Sequence, residues 1–305
     1  MDLDTLYRTY KPVLLAYAYR MLGSITDAED IVQDVFMSVR DLDWHTIEYP
    51  KAYLMKMVTN RSLNTIRSAR RQREVYPGTW LPEPDIRFAA AVAADEPSEQ
   101  LVLRERFGYA LLVLLQQLSP LERAVYILKE SLGFPYDEIA HMLQKNEAAC
   151  RKLFSRASAK IGSNSRTEDD VATNQAVTAE PYVQAFAEAA QTGRFESFIR
   201  LLTDNAVLIS DGGGKVRTAV NPILGRDRIL AFFSGLHSKG SYNGIFHHVL
   251  ISGQPGVLLV RPDGHMRAFC FSYTADHAIA CIYTIMNPDK LQHIHGGNSE
   301  LIDRA

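Results

Sequence analysis

Cysteine is scarce: Cys150, Cys270 and Cys281 are the only three, with no C-x-x-C spacing and one thiol left over under any pairing. That argues against a disulfide framework or a zinc ribbon, and for reduced, mostly buried thiols. No uninterrupted apolar run approaches the ~20 residues needed to span a bilayer. The start MDLDTLYRTY has neither the basic stretch nor the apolar core of a secretory signal. A cytoplasmic protein with no membrane partner is expected. Charge of one sign is also lacking, since a formal net charge of −2 does not suit a chain that clings to nucleic acid over its whole surface. The N-terminal half contains no G-x-x-x-x-G-K-[ST], no H-E-x-x-H and no nucleophile elbow, so the common phosphate-loop, zinc-protease and hydrolase chemistries have no foothold there.

What is present is segregated. Residues 24–48 carry Asp27, Glu29, Asp30, Asp34, Asp41, Asp43 and Glu48 against one Arg40. Residues 51–73 carry Lys51, Lys56, Arg61, Arg67, Arg70, Arg71 and Arg73 and no acid. Both stretches have helical periodicity, and Thr26 with Glu29 reads as a capping box opening the acidic helix. In the acidic helix Ile31, Val35 and Phe36 lie beside Asp27, Asp30 and Asp34, the pattern of a protein-docking face or of a core. In the basic helix Asn60, Arg61, Asn64 and Arg67 crowd one side, suited to tracking phosphates and reading exposed bases. In the loop between them, Trp44, His45 and Tyr49 either stack on an unpaired base or plug the helix junction, the plug being preferred for Trp44.

Further along, Ser119, Pro120 and Glu122 mark a strong helix start. YDEIAHML, the connection QKN, and EAACRKLFSRASAKI capped by Asn146 then fit a helix-turn-helix or an ordinary helical hairpin. Ile139, Ala140, Leu143 and Leu153 would face inward, leaving Arg151, Lys152, Ser155, Arg156 and Lys160 outward. Beyond Pro181 one long helix, YVQAFAEAAQTGRFESFIRLL, precedes six short strand-like runs, including KVRTAV, separated by turn chemistry. This predicts an α+β domain on a curved antiparallel sheet. Between the helical regions sits TWLPEP, where Pro77, Pro82 and Pro84 stiffen a partly apolar strap.

Seven histidines in the last third raise a metal site, but His247 and His248 are adjacent on a strand and point to opposite faces. A catalytic alternative would use Asp204, Asp211 or His248 as base with Tyr273 or Tyr283 as oxyanion donor. No spacing enforces such a dyad.

The succession DAEDIVQDVF, YLMKMVTNRSLNTIRSARRQRE and LSPLERAVYILKESLGFPYDEIAHMLQKNEAACRKLFSRA resembles the extracytoplasmic-function sigma factors of bacterial RNA polymerase over about the first half of the chain. With WLPEP, DGGGK at 211–215 and NPDKL at 287–291, it resembles the subgroup bearing a C-terminal SnoaL/NTF2-like domain. The resemblance implies two all-α sigma domains, a region 2 helical bundle (1–75) and a region 4 helix-turn-helix (101–162), followed by an α+β NTF2/SnoaL-like cone (179–295). A linker carrying WLPEP (76–100), a flexible linker (163–178) and a tail (296–305) complete the order. It further implies that Asp27, Asp30, Ile31, Gln33, Asp34 and Phe36 dock on core RNA polymerase. Promoter DNA would be met by Asn60, Arg61, Asn64, Arg67, Arg70 and Arg71 at the −10 element and by Glu147, Arg151, Lys152, Ser155 and Arg156 at the −35 element. Trp80, Leu81, Pro82, Asp211, Gly212, Gly213, Asn287, Pro288 and Asp289 would tie the strap to a regulatory C-terminal domain. No cofactor, metal or catalytic residue is implied; a small ligand in the C-terminal domain and a small-molecule sensor or isomerase-like reading remain as alternatives.

Overall fold

Apolar residues recurring at helical spacing build the first part of the chain. The computed structural model describes residues 3–88, 108–164 and 179–294, which form two compact units: 3–75 with 112–164, and 76–88 with 108–111 and 179–294. In the first, α1 (Leu3–Leu22), α2 (Ile25–Ser38) and α3 (Pro50–Glu74) pack together. Leu6, Leu14, Tyr17, Val32, Val35, Leu54 and Val58 are buried between them, and Thr59 Oγ1 donates to the Tyr17 hydroxyl at 3.0 Å. Helix α2 is capped by Ser24, whose Oγ accepts from Asp27 N at 3.2 Å, and not by Thr26. The helix begins two residues earlier than the motif suggested, which puts Thr26 inside its first turn. Trp44 is buried, edge-on to Tyr53, and plugs the junction.

The chain continues through α4 (Tyr109–Gln117), of which residues 112–117 belong to this unit, and α5 (Pro120–Tyr126), which runs on into one wide π turn, Ile127–Ser131. Ser119 and Glu122 close the expected capping box. Helices α6 (Tyr136–Leu143) and α7 (Glu147–Asn164) follow as the helix-turn-helix pair. Gln144 ends α6 in the left-handed region at φ 53°, and Asn146 Oδ1 accepts from Ala149 N at 2.8 Å to open α7. Ile139, Ala140 and Leu143 are buried. Helix α3 packs against both α5 and α6.

The second unit is a sheet with helices on one face. Helices α8 (Glu180–Thr192), α9 (Glu196–Ile199) and α10 (Arg226–Ser238) accompany seven described strands, in the order β1-β4-β5-β6-β7-β2-β3. These are β1 (Ile86–Phe88), β2 (Leu202–Asp211), β3 (Ile223–Leu224), β4 (Ile245–Ile251), β5 (Gln254–Val260), β6 (Met266–Tyr273) and β7 (Ile279–Ile285). Alternation sends Phe269, Phe271, Val257 and Leu259 toward the helices, where Phe186, Phe195, Phe198 and Phe233 fill the space against them.

Several expectations are corrected. The sheet is mixed, because β2 pairs parallel with β7. KVRTAV is not a strand: the Lys215 and Val216 amides both donate to Gly212 O and curl the chain back, and the edge strand is Ile223–Leu224 instead. The long helix breaks at Gly193, φ 78°, whose added Cβ would lie 2.6 Å from His237 Nε2. Helix α10 went unread although Ile229 and Phe233 sit at i and i+4. The segment read as a linker supplies β1, with Ile86 opposite Ile251 and Phe88 opposite Val249. Residues 89–100 of that linker, the helix expected over 101–107, the second linker from 165 on and the tail lie outside the described residues. Phe186, with ring centroids 4.6–5.6 Å from Phe198, Phe233, Phe269 and Phe271, is the packing centre. Phe186→Ala is expected to cost about 3–5 kcal/mol, seen as an earlier urea transition in the sheet's hydrogen-exchange signal.

Candidate functional site

Three surfaces gather the predicted residues. On α2, Asp27, Asp30, Gln33 and Asp34 are exposed, whereas Ile31 and Phe36 turn into the bundle, Phe36 meeting the edge of Tyr7 at 4.9 Å. The exposed face of α2 is therefore polar, and the two apolar residues hold the helix in place. On α3, Asn60, Asn64 and Arg67 are exposed and Arg61 is half-buried, while Ser62 and Leu63 face inward. The side chains of Arg70 and Arg71, like that of His45, are outside the described ones.

On α7, Glu147, Arg151, Lys152, Ser155 and Arg156 all reach the surface. Arg151 is already engaged, with Nη2 2.7 Å from Glu147 Oε2 and its guanidinium 5.0 Å from the Tyr136 ring centre. Lys160 is exposed as well, and its Nζ donates to both oxygens of buried Glu122, at 2.9 and 2.7 Å, which ties α7 to the start of α5.

The third surface lies within the second unit, at the end of β2. Asp211 is 1% exposed and every oxygen is occupied. Oδ2 accepts from Leu81 N at 2.8 Å and Lys290 Nζ at 2.6 Å. Oδ1 accepts from the Tyr76 hydroxyl at 2.5 Å and Gly213 N at 3.0 Å, while its backbone oxygen takes Met286 N and Asn287 N. Lys290 Nζ also donates to Leu81 O and lies 4.2 Å from the Trp80 ring centre and 5.0 Å from that of Tyr76. Asn287 Nδ2 donates to Tyr76 at 2.9 Å, and its Oδ1 caps the turn of Pro288 by accepting from Asp289 N at 3.1 Å. Burial first, then the hydrogen bond to Asp211, pushes the Tyr76 pKa up. A Cβ on Gly213 would sit 2.3 Å from Asn287 Nδ2, and one on Gly212 2.1 Å from Val216 O, so both positions require glycine. Asp289 pairs with Lys215 at 2.7 Å on the rim. Leu81 is fully buried and the Pro82 carbonyl accepts from Tyr109 at 2.7 Å, whose ring meets Tyr283.

The trio of motifs thus converges on one buried ion pair. Sequence reasoning missed Tyr76, Tyr109 and Lys290, although Lys290 sits inside a motif it had quoted. The catalytic alternative does not assemble. Asp204 is 85% exposed beside Arg226, His248 pairs with Glu180 at 3.1 Å on the helix side, and Asp211 is consumed by the strap. His247 points the other way, against Phe88, with burial lowering its pKa. Among the described residues no three His, Cys, Asp or Glu side chains are grouped for a metal.

Removing one member of a buried pair leaves the other charge uncompensated, at about 3–5 kcal/mol. Asp211→Ala is therefore expected to destabilise the second unit by that amount and to speed exchange of the Leu81 amide. Replacing both partners, Asp211→Asn with Lys290→Met, should recover part of the stability. Equal losses in the single and double variants, measured by urea unfolding, would contradict this.

Residues 6–72 match sigma-70 region 2 and residues 109–161 match sigma-70 region 4. The chain is 32% identical over 290 residues to the RNA polymerase sigma factor SigJ of Mycobacterium tuberculosis, covering 91% of this chain and 89% of that one. It is 31% identical to the probable sigma factor SigI of the same organism over 64% of this chain and 65% of that one. The crystal structure of M. tuberculosis SigJ superposes with a TM-score of 0.74 at 26% identity, covering 95% of this chain and 98% of that one. Residues 6–72 and 109–161 are then regions 2 and 4, and this chain belongs to the extracytoplasmic-function family of RNA polymerase sigma factors, the initiation factors of bacterial transcription.

Proposed function

We propose that this sigma factor directs core RNA polymerase to its promoters through three faces and is governed from within by its C-terminal domain. The exposed acids of α2 dock on the polymerase, Asn60, Arg61, Asn64 and Arg67 hold the opened −10 strand, and α7 enters the −35 major groove with Lys152, Ser155 and Arg156. The factor makes no bond of its own. It offsets a few kcal/mol of unpairing with contacts to extruded bases.

The observation that carries the regulatory part is the Asp211–Lys290 pair, which holds Tyr76 and Leu81. The stretch joining the two DNA-reading regions is thereby held by the C-terminal domain. Both regions must engage one promoter together to gain effective concentration, so a domain that holds their connection controls initiation.

Run-off transcription with purified core polymerase on a genomic promoter pool tests both parts. Arg61→Gln and Arg67→Gln should each weaken open-complex formation and lower its log–log salt slope by about one; unchanged slopes in both would remove the strand assignment. Trp80→Ala strips the ring that covers Lys290 and should change transcript yield. Equal yields with and without the substitution would remove the regulatory role of the strap.

A further inference from the structure

One end of the sheet's helix-covered face holds a cation without a counter-charge. Alternation along β6 puts Arg267 on the side of Phe269 and Phe271, and pairing sets it opposite Leu259 of β5, whose other neighbour is Phe246 of β4. Arg267 is half-buried, and among the described residues it forms no ion pair and no hydrogen bond. Its neighbour Arg261 is fully committed. That guanidinium pairs with Asp263 at 3.2 Å and donates to the carbonyls of Gly240 and Ser241 at 3.1 and 2.9 Å, which ties the loop after α10 to the β5–β6 turn. Burial, and then the charge of Arg261, lower the Arg267 pKa; Tyr242 and Asp263 only partly oppose them.

Buried hydroxyls with nothing to bond stand around this cation. Tyr242 is 4% exposed, its ring centre lies 6.3 Å from that of Phe269, and its hydroxyl has no partner. Burial raises the Tyr242 pKa, and the charge of Arg267 is what pulls against that rise. Thr284 of β7 lies opposite Phe269 and so diagonal to Arg267, and Ser210 of β2 lies opposite Thr284. Both share the face of Ile282 and Leu208, toward the helices, and their hydroxyls, 4% and 3% exposed by residue, are also unpartnered. Water can satisfy a buried hydroxyl, but it does not neutralise a guanidinium taken out of solvent. The cluster lacks an anion.

We propose that this end of the C-terminal sheet binds a small organic acid, a monocarboxylate with an apolar body, whose carboxylate meets Arg267 and the Tyr242 hydroxyl while its body rests on Phe246. One uncommitted positive charge matches one negative charge, and the planar guanidinium fork matches a carboxylate. A phosphate dianion would stay half-neutralised there, because the charge of Arg261 is spent on Asp263. Thr284 and Ser210 supply further donors deeper along the same face. The proposal stands apart from the promoter and strap readings, none of whose residues it uses.

Hydrogen exchange across residues 266–273 of the full-length protein, titrated with 1-naphthoate or octanoate, tests the site. Naphthalene-1-carboxamide is the comparison, since it has the same shape and no charge. Both carboxylates should slow exchange there, and naphthoate should bind at least about tenfold more tightly than the amide. Arg267→Met should abolish that preference and leave the protein no less resistant to urea, because it removes an uncompensated cation. Tyr242→Phe keeps the ring and deletes one donor, so it should weaken naphthoate about fivefold and the amide less. Arg228→Gln, exposed on α10, should change nothing. Equal protection of the unmodified chain by naphthoate and the amide would reduce the site to apolar adsorption and overturn the proposal. A carboxylate preference that survives in Arg267→Met would place the anion elsewhere and overturn it too. So would a lack of protection by either carboxylate at about 10 mM, a concentration that reveals even weak binding.

Discussion

One carboxylate organises the C-terminal half of this molecule. A buried aspartate is tolerated only when a counter-charge and hydrogen-bond donors replace the water it has lost. Asp211 finds them in four places: Tyr76 and Leu81 in the strap, Gly213 in the adjacent turn, and Lys290 after β7. Tyr76 and Asp211 are 135 positions apart in the chain. None of these groups is well placed alone: Lys290 without Asp211 is a buried cation, and Asp211 without the strap loses two of its donors. The segment 76–88 is for that reason part of the sheet domain, a role completed by β1 on the edge of β4 and by Tyr109 under Pro82.

A sigma factor turns binding free energy into strand opening, so its regulation reduces to which surfaces are available and how far apart they are held. The strap addresses spacing, since the domain that grips residues 76–88 grips the connection between regions 2 and 4.

How much of this was legible depended on the range of the interactions. The helix-turn-helix was readable because its signals are local. Ser119 with Glu122, and Asn146 with Ala149, close within three residues. The three strap motifs were recognisable by resemblance, yet their meeting point was not, because Tyr76 and Lys290 acquire their roles only when chain segments far apart fold together. Periodicity could not say whether Ile31 and Phe36 face a partner or their own bundle; α1 supplied the answer through Tyr7. Lys160 looked like one more basic residue on a DNA-facing helix until Glu122 was placed beside it. The break at Gly193 and the parallel β2–β7 pair are tertiary outcomes, since the same residues satisfy helical and antiparallel patterns equally well on paper.

The central claim is that the grip on the strap and the output of the polymerase are one variable. It is tested by measuring both on a graded series of full-length chains, unmodified, Trp80→Ala, Lys290→Met and Asp211→Asn. Hydrogen exchange of the Leu81 amide reports the grip, and run-off transcript yield under the same buffer reports the output. The account predicts that yield changes in step with exchange across the series. A spread of Leu81 exchange rates with one constant yield would contradict it.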